Sequence, residues 1–169
     1  MMICPDSGCA HVDNSYRQHG VYAVEFALTF LIFFLVLYAV LTYGMIFAAQ
    51  QTLNWAAQDG ARAGLRWLPT SEGRAQAAEG VALDKASWLM NMGGSGAVQV
   101  GSCLEEVTTN PPCKPSGSGE LKVVAHYNYH GFPLVPMLGP GGLIGALVPA
   151  TLQAEASVHL GVSTGERLQ

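Results

Sequence analysis

A long apolar run dominates the first third of the chain. Residues Phe26–Ala49 contain no Asp, Glu, Lys or Arg. As a helix with a rise of about 1.5 Å per residue, the run reaches about 36 Å, enough to cross a hydrocarbon core of about 30 Å. It is also longer than the roughly 7–15 apolar residues of a secretory signal. We therefore predict a transmembrane helix whose membrane part lies at about Phe26–Ala49.

The helical pattern continues beyond this run to Trp67. No proline occurs before Pro69, and small residues recur at helical spacing. Gly60 and Gly64 lie four residues apart, a step that permits close approach of another helix. The alternative is that these glycines fit a crowded core of their own domain. We predict one long helix over 21–67, partly in the membrane and partly outside it.

A small α+β domain is predicted to follow at 68–169. Pro69 blocks continuation of the first helix, and a second helix is expected from about Glu72 to Met92. Three segments then alternate apolar and polar residues, the pattern typical of strands. They predict a three-stranded antiparallel sheet that the outer part of the long helix and the second helix cover. The predicted strands are Ala97–Cys103, Glu120–His130 and Thr151–Leu160.

The two connections between these strands carry further signals. The first holds Cys103 and Cys113, which form either a disulfide, contributing about 3 kcal/mol in the chain-entropy model, or two free thiols. The second, 131–150, is apolar and uncharged but carries four prolines, which disfavour a second span. We predict a loop with a short helix near Leu143–Val148. It contacts another subunit or the membrane surface, or it folds back onto its own core.

Composition and chemistry narrow the function classes. The chain has 169 residues, enough for one domain of ordinary size, and a net charge of −4 without a basic patch. We therefore predict no nucleic-acid partner. No catalytic motif occurs, and His126 and His130, four apart on a predicted strand, would lie about 13 Å apart, too far to share a metal ion. We predict no enzyme, no cofactor and no metal site.

The segment Met1–His19 is a disordered tail or a leader that is removed. It holds Cys4 and Cys9, whereas Cys103 and Cys113 follow the apolar run. If the N-terminus stays in the cytosol, the first pair remains reduced and the second pair faces an oxidising compartment. Arg17 is the one Lys or Arg before the run, so the charge bias that orients a span is weak.

The sequence around Gly20 resembles the processing site of type IV prepilins. Gly20 is followed by Val21-Tyr22-Ala23-Val24-Glu25-Phe26. More narrowly, the chain resembles TadE-like pseudopilins of the tight-adherence (Tad/Flp) pilus in two motifs, AVEFAL at 23–28 and AAQDGAR at 56–62. The strand, proline-bearing apolar loop and Ala-rich strand of the C-terminal half are also similar, so the resemblance covers most of 17–160. The chain departs from the pattern in having a single leader Arg, and Val21 where major pilins have phenylalanine.

This resemblance implies that residues 1–20 are a leader, which a prepilin peptidase removes between Gly20 and Val21 on the cytoplasmic side. Glu25 then becomes the fifth residue, followed by Phe26, in the segment used for assembly. A carboxylate costs ~2.5–3.5 kcal/mol at the membrane centre and less near its boundary. The new amino group of Val21 would offset this cost. In pilins this glutamate is thought to pair with a subunit N-terminus; the alternative is a Glu25 that snorkels to the interface.

We therefore expect an inner-membrane, single-pass pseudopilin with a cytoplasmic N-terminus and a periplasmic α+β domain. Its expected partners are the prepilin peptidase, other pilin-like subunits and the pilus assembly platform. Entry into the filament, priming of the filament and retention in the membrane all fit this hypothesis. The competing hypothesis is an uncleaved, membrane-anchored periplasmic binding module that recognises its partner through the loop 131–150.

Overall fold

The computed structural model describes residues 18–104, 113–114, 119–136 and 148–160. These residues form an α+β structure, as the sequence predicted. The chain divides into two compact units, 1–41 and 42–169. The helices are α1 (Gln18–Gly64), α2 (Ser71–Lys85) and α3 (Ser87–Gly93), and the strands are β1 (Val98–Cys103), β2 (Glu120–Tyr127) and β3 (Leu152–His159).

In the first unit, the described residues form the N-terminal part of α1. From Gly20 to Leu41 the side chains are exposed in every direction, apart from a half-buried Tyr38. Among the described residues, α1 is the one helix that is long and apolar enough to cross a membrane. At about 1.5 Å per residue, Gly20–Leu41 reaches about 33 Å, which matches a hydrocarbon core of about 30 Å. The apolar surface on all sides suits a helix surrounded by lipid.

In the second unit, one face of α1 is buried from Thr42 onward. The buried positions follow one another at alternating steps of four and three residues, which keeps them in one stripe along the helix. The predicted membrane part, Phe26–Ala49, therefore overlaps the folded unit in its last two turns. The stripe consists of Thr42, Ile46, Ala49, Leu53, Ala56, Gly60 and Ala63.

The three strands form an antiparallel sheet in the order β1-β2-β3. Tyr127 pairs with Val98 on one side and with Leu152 on the other. One face of β2 enters the main core through Leu121, Val123, Ala125 and Tyr127, together with the buried stripe of α1 and with Ala78 and Ala82 of α2. This is the cover that the alternating pattern predicted.

The elements differ from the predicted ones in three respects. The long helix runs over Gln18–Gly64 rather than over 21–67. The second helix is interrupted at Ala86, so α2 and α3 are separate. After the break, Trp88 Nε1 donates a hydrogen bond to Thr52 Oγ1 at 3.1 Å, and Leu89 is fully buried. Strand β2 ends at Tyr127 rather than His130, because the Asn128 side chain accepts a hydrogen bond from Gly131 N at 3.0 Å and turns the chain.

The long apolar connection is described at its two ends only. His130 N donates to Ala150 O at 3.0 Å and joins these ends. Phe132, Leu134 and Val148 are half-buried and pack on the core of the same unit. The predicted short helix at 143–148 lies outside the described residues except for Val148, as does the leader 1–17 with Cys4 and Cys9.

Candidate assembly site on the N-terminal helix

The predicted cleavage residues and Glu25 share one face of α1. Gly20, Val21, Val24, Glu25 and Leu28 line a shallow open depression there. They follow one another at alternating steps of one and three residues, which places them on one side of a helix. Apart from the Glu25 carboxylate, the surface of this depression is apolar.

The Gly20–Val21 peptide bond lies in the first turns of α1, which begins at Gln18. A Cβ atom added to Gly20 would meet no atom within 4 Å, so no described side chain packs over it. The first turn of a helix lacks part of its backbone hydrogen bonds, and glycine costs about 1 kcal/mol relative to alanine in a helix. These properties make the bond accessible and its segment easy to unwind, as a protease substrate requires.

Glu25 is the one Asp, Glu, Lys or Arg between Gln18 and Gln58. No described residue forms an ion pair or a hydrogen bond with its carboxylate. Helical side chains lean toward the N-terminus, so Glu25 leans toward Val21, one turn earlier. An amino group created at Val21 would therefore lie on the face that carries the carboxylate.

Phe26 begins a ladder of exposed aromatic rings. The ring centroids of Phe26 and Phe30 lie 6.0 Å apart, and those of Phe30 and Phe34 lie 6.4 Å apart. These distances are within the range of favourable aromatic pairs. Phe26 is 72% exposed, so the ladder forms an apolar ridge next to Glu25 that can face lipid or another helix.

Gly60 and Gly64 pack against other elements of the folded unit. A Cβ atom on Gly60 would lie 2.8 Å from Ala78 O and 3.0 Å from Ala82 Cβ, both in α2. A Cβ atom on Gly64 would overlap the Leu121 side chain of β2. The close approach that these glycines permit is therefore to α2 and β2 of the same chain.

Cys103 and Cys113 form a disulfide. It lies on the face of the sheet opposite the main core, where both cysteines and Val124 form a second small buried cluster. The disulfide thus covers the one β2 side chain that is fully buried on that face, and it ties the β1–β2 connection to the sheet.

Polar contacts between distant segments were not foreseen from the sequence. Ser102 donates its backbone N–H and its hydroxyl to Glu79 Oε1, at 3.0 and 2.8 Å, and so links β1 to α2. Lys122 and Glu155 form an ion pair at 2.6 Å across β2 and β3. The alternating pattern locates the strands, but it gives neither their register nor the place where α2 packs. The sequence therefore carries no local signal for either contact. Within the described ranges, no cluster of three His, Cys, Asp or Glu side chains could hold a metal ion.

Comparison with known protein families gives a match that lies within α1. Residues 20–62 match the family model described as TadE-like protein. The match begins at the glycine of the predicted cleavage site and ends at Arg62, within α1. Neither the curated proteins nor the solved structures gave a match. Over residues 20–62 the chain is therefore similar to TadE-like proteins, the family that its motifs predicted.

Proposed function

We propose that the protein is a minor pilin of a Tad pilus, held in the membrane by α1 and processed after Gly20. The observation that carries this proposal is a coincidence of positions. The TadE match covers residues 20–62, and these include the apolar helical segment 20–41, which is exposed on all sides. A secreted enzyme or a binding domain with an ordinary signal needs neither the glycine nor the carboxylate five residues later.

The proposed orientation places the N-terminus in the cytoplasm and the folded unit in the periplasm. The disulfide between Cys103 and Cys113 supports it, because disulfides persist in oxidising compartments and are rare in the cytosol. Among the described residues, α1 is the one helix apolar and long enough to span a membrane, which supports a single crossing of the inner membrane. The disulfide supports the orientation that the weak charge bias around Arg17 leaves open.

In the proposed assembly step, the prepilin peptidase cuts between Gly20 and Val21. Hydrolysis creates an ammonium group on Val21, which neutralises the Glu25 carboxylate of its own or a neighbouring subunit. This pairing lowers the cost of a carboxylate in the membrane, about 2.5–3.5 kcal/mol at its centre. The ridge of Phe26, Phe30 and Phe34 then packs on the helices of other pilin-like subunits, which the assembly platform gathers.

Intact-mass measurement and N-terminal sequencing of the protein from its native membrane test this function. We expect a mature chain that starts at Val21. In a Gly20→Leu variant we expect the full-length mass, because a bulky side chain would occupy the position before the cut. Gly44→Leu is the matched control, since Gly44 is another exposed glycine of α1 without a packed neighbour, and it should be processed normally.

The competing function is an uncleaved membrane-anchored binding module. It would retain Met1 or Met2 in cells with an active prepilin peptidase, and that result would overturn the pilin proposal. The apolar connection 131–150 would then be its binding segment. Its half-buried residues Phe132, Leu134 and Val148 pack on the core of their own unit, so less of its surface is free for a ligand.

A further inference from the structure

Charged residues are confined to one part of the folded unit. The sequence has no Asp, Glu, Lys or Arg in 26–58, 86–104 and 123–154. In the described part of the chain after Thr42, every such residue lies in 59–85, at 114–122 or at 155. This uneven distribution creates an uncharged surface only if the uncharged segments lie next to one another in the folded unit.

They do meet, at one end of the unit. Gln50 Nε2 donates a hydrogen bond to Gln153 O at 2.8 Å, which joins α1 to the start of β3. Trp88 Nε1 donates to Thr52 Oγ1, which joins α3 to the same stretch of α1. The uncharged part of α1 therefore contacts the uncharged parts of both other segments.

The first residues of the apolar connection lie at this end as well. Tyr127 donates its hydroxyl to Phe132 O at 2.6 Å. A Cβ atom on Gly94, just after α3, would lie 3.6 Å from the Phe132 ring. The C-terminal end of α3 and the first residues of the connection are thus neighbours. Met92 of α3 is 55% exposed there.

The charged residues begin where this end stops, since Lys85 directly precedes Ala86, and they extend toward the other end of the unit. Lys85 lies 3.7 Å from Asp59, about two and a half turns of α1 beyond Gln50. The Lys122–Glu155 ion pair lies further along the sheet, beside the strand positions next to the disulfide. Trp67, which is 87% exposed, follows the C-terminal end of α1 at this charged end.

Chain connectivity identifies which end is near the membrane. The folded unit begins at Thr42, directly after the fully exposed apolar segment that ends at Leu41. The uncharged end is the one built around the first turns of α1 after this point. Polar but uncharged groups are tolerated in the headgroup layer, whereas a charge brought toward the hydrocarbon costs several kcal/mol.

We propose that the uncharged end, formed by 86–94, 128–136 and 148–151, rests on the lipid surface of the membrane, with Met92 and 133–136 touching lipid. This inference depends on the membrane anchorage in the proposed function but not on cleavage or pilus assembly. The lipid contact holds the folded unit against the bilayer and turns its charged end toward other proteins. The described ends of the apolar connection then contact the membrane rather than a protein partner.

Photo-crosslinking of the full chain in vesicles of phosphatidylethanolamine and phosphatidylglycerol tests this contact. The photoreactive residue p-benzoyl-phenylalanine replaces Met92 in one variant and Trp67 in the matched control. Both positions are exposed and apolar, so neither replacement disturbs the core. After flotation of the vesicles and illumination, mass spectrometry measures lipid adducts. We expect adducts at position 92 and none above background at position 67.

Each other outcome has a distinct meaning. Protein that floats with the vesicles but forms no lipid adduct at position 92, or equal adducts at both positions, overturns the inference and leaves the anchor intact. Crosslinks from position 92 to a second protein chain in place of lipid also overturn it. Protein that does not float contradicts the anchor itself, and the inference with it.

Discussion

At the scale of single residues, Gly64 shows how closely α1 approaches the sheet. Its missing side chain leaves room for the fully buried side chain of Leu121, which a Cβ atom on Gly64 would overlap. We expect Gly64→Ala to lower the free energy of unfolding by about 1–3 kcal/mol, the usual cost of overpacking a core. Urea denaturation of the full chain in detergent micelles measures this loss.

Gly80→Ala is the matched control for this variant. Gly80 lies in α2 with no atom within 4 Å of an added Cβ, so the higher helix propensity of alanine should stabilise the protein by about 0.5–1 kcal/mol. If both variants destabilised the protein equally, the loss would come from the helices in general and not from the contact with Leu121.

Tyr127 is the residue whose ionisation should limit stability at high pH. Burial, and then the negative charge of an ionised Tyr129, raise the pKa of Tyr127 above its ordinary value of 10.0. Above about pH 10 the unfolded chain releases this proton while the folded chain keeps it. Stability is therefore complete below that pH and falls as the pH rises toward the pKa of the folded state.

We expect Tyr127→Phe to reduce this alkaline loss. At neutral pH the variant should be less stable by about 0.5–1.5 kcal/mol, because it loses the hydrogen bond to Phe132 O. The urea midpoints of both proteins, compared at neutral pH and above about pH 10, should therefore converge. A gap between the midpoints that stays constant with pH would mean that another group controls the alkaline transition.

At the scale of elements, the disulfide stabilises the connection between β1 and β2. Cys103 and Cys113 are 10 residues apart in sequence, and closing a loop of this size is worth about 3 kcal/mol in the chain-entropy model. We expect the free energy of unfolding to fall by an amount of this order in the Cys103→Ala/Cys113→Ala variant and in the wild type with reductant. The stability of the Cys4→Ala/Cys9→Ala variant should equal that of the wild type. A urea midpoint of the wild type that does not change with reductant would contradict the prediction.

Elements were predictable from the sequence where their signal was local. Period-two alternation located the three strands to within a residue or two, apart from the C-terminal end of β2, and Pro69 marked the region where α1 ends. The break at Ala86 is followed by Trp88, whose side chain bonds Thr52, thirty-six residues away in sequence. The C-terminal end of β2 depends on a turn made by the Asn128 side chain. Such partners leave no local pattern.

The candidate site was predictable for a different reason. Gly20, Val21, Glu25 and Phe26 form a short motif, and a motif can be read without knowing the fold. The role of Gly60 and Gly64 required the structure, because the same spacing serves a second subunit or the core of one domain. Only the observed neighbours Ala78, Ala82 and Leu121 distinguish these uses.

At the scale of the whole molecule, the chain has a graded polarity. Among the described residues, an apolar segment exposed on all sides is followed by an uncharged end of the folded unit, and the charged residues of that unit lie at 59–85, 114–122 and 155. Such a gradient matches the change from hydrocarbon to headgroups to water across half a membrane. The proposed lipid contact follows from this order, which neither composition nor net charge reveals.

The buried stripe of α1 that begins at Thr42 also determines where a fragment without the membrane anchor can start. Ile46, Ala49 and Leu53 belong to the same core as the sheet, so a fragment that starts after the helix would leave one side of β2 open to water. A truncated version made without the anchor has to keep the helix from Thr42 onward. The boundary between anchor and domain lies inside one uninterrupted helix, not at its end.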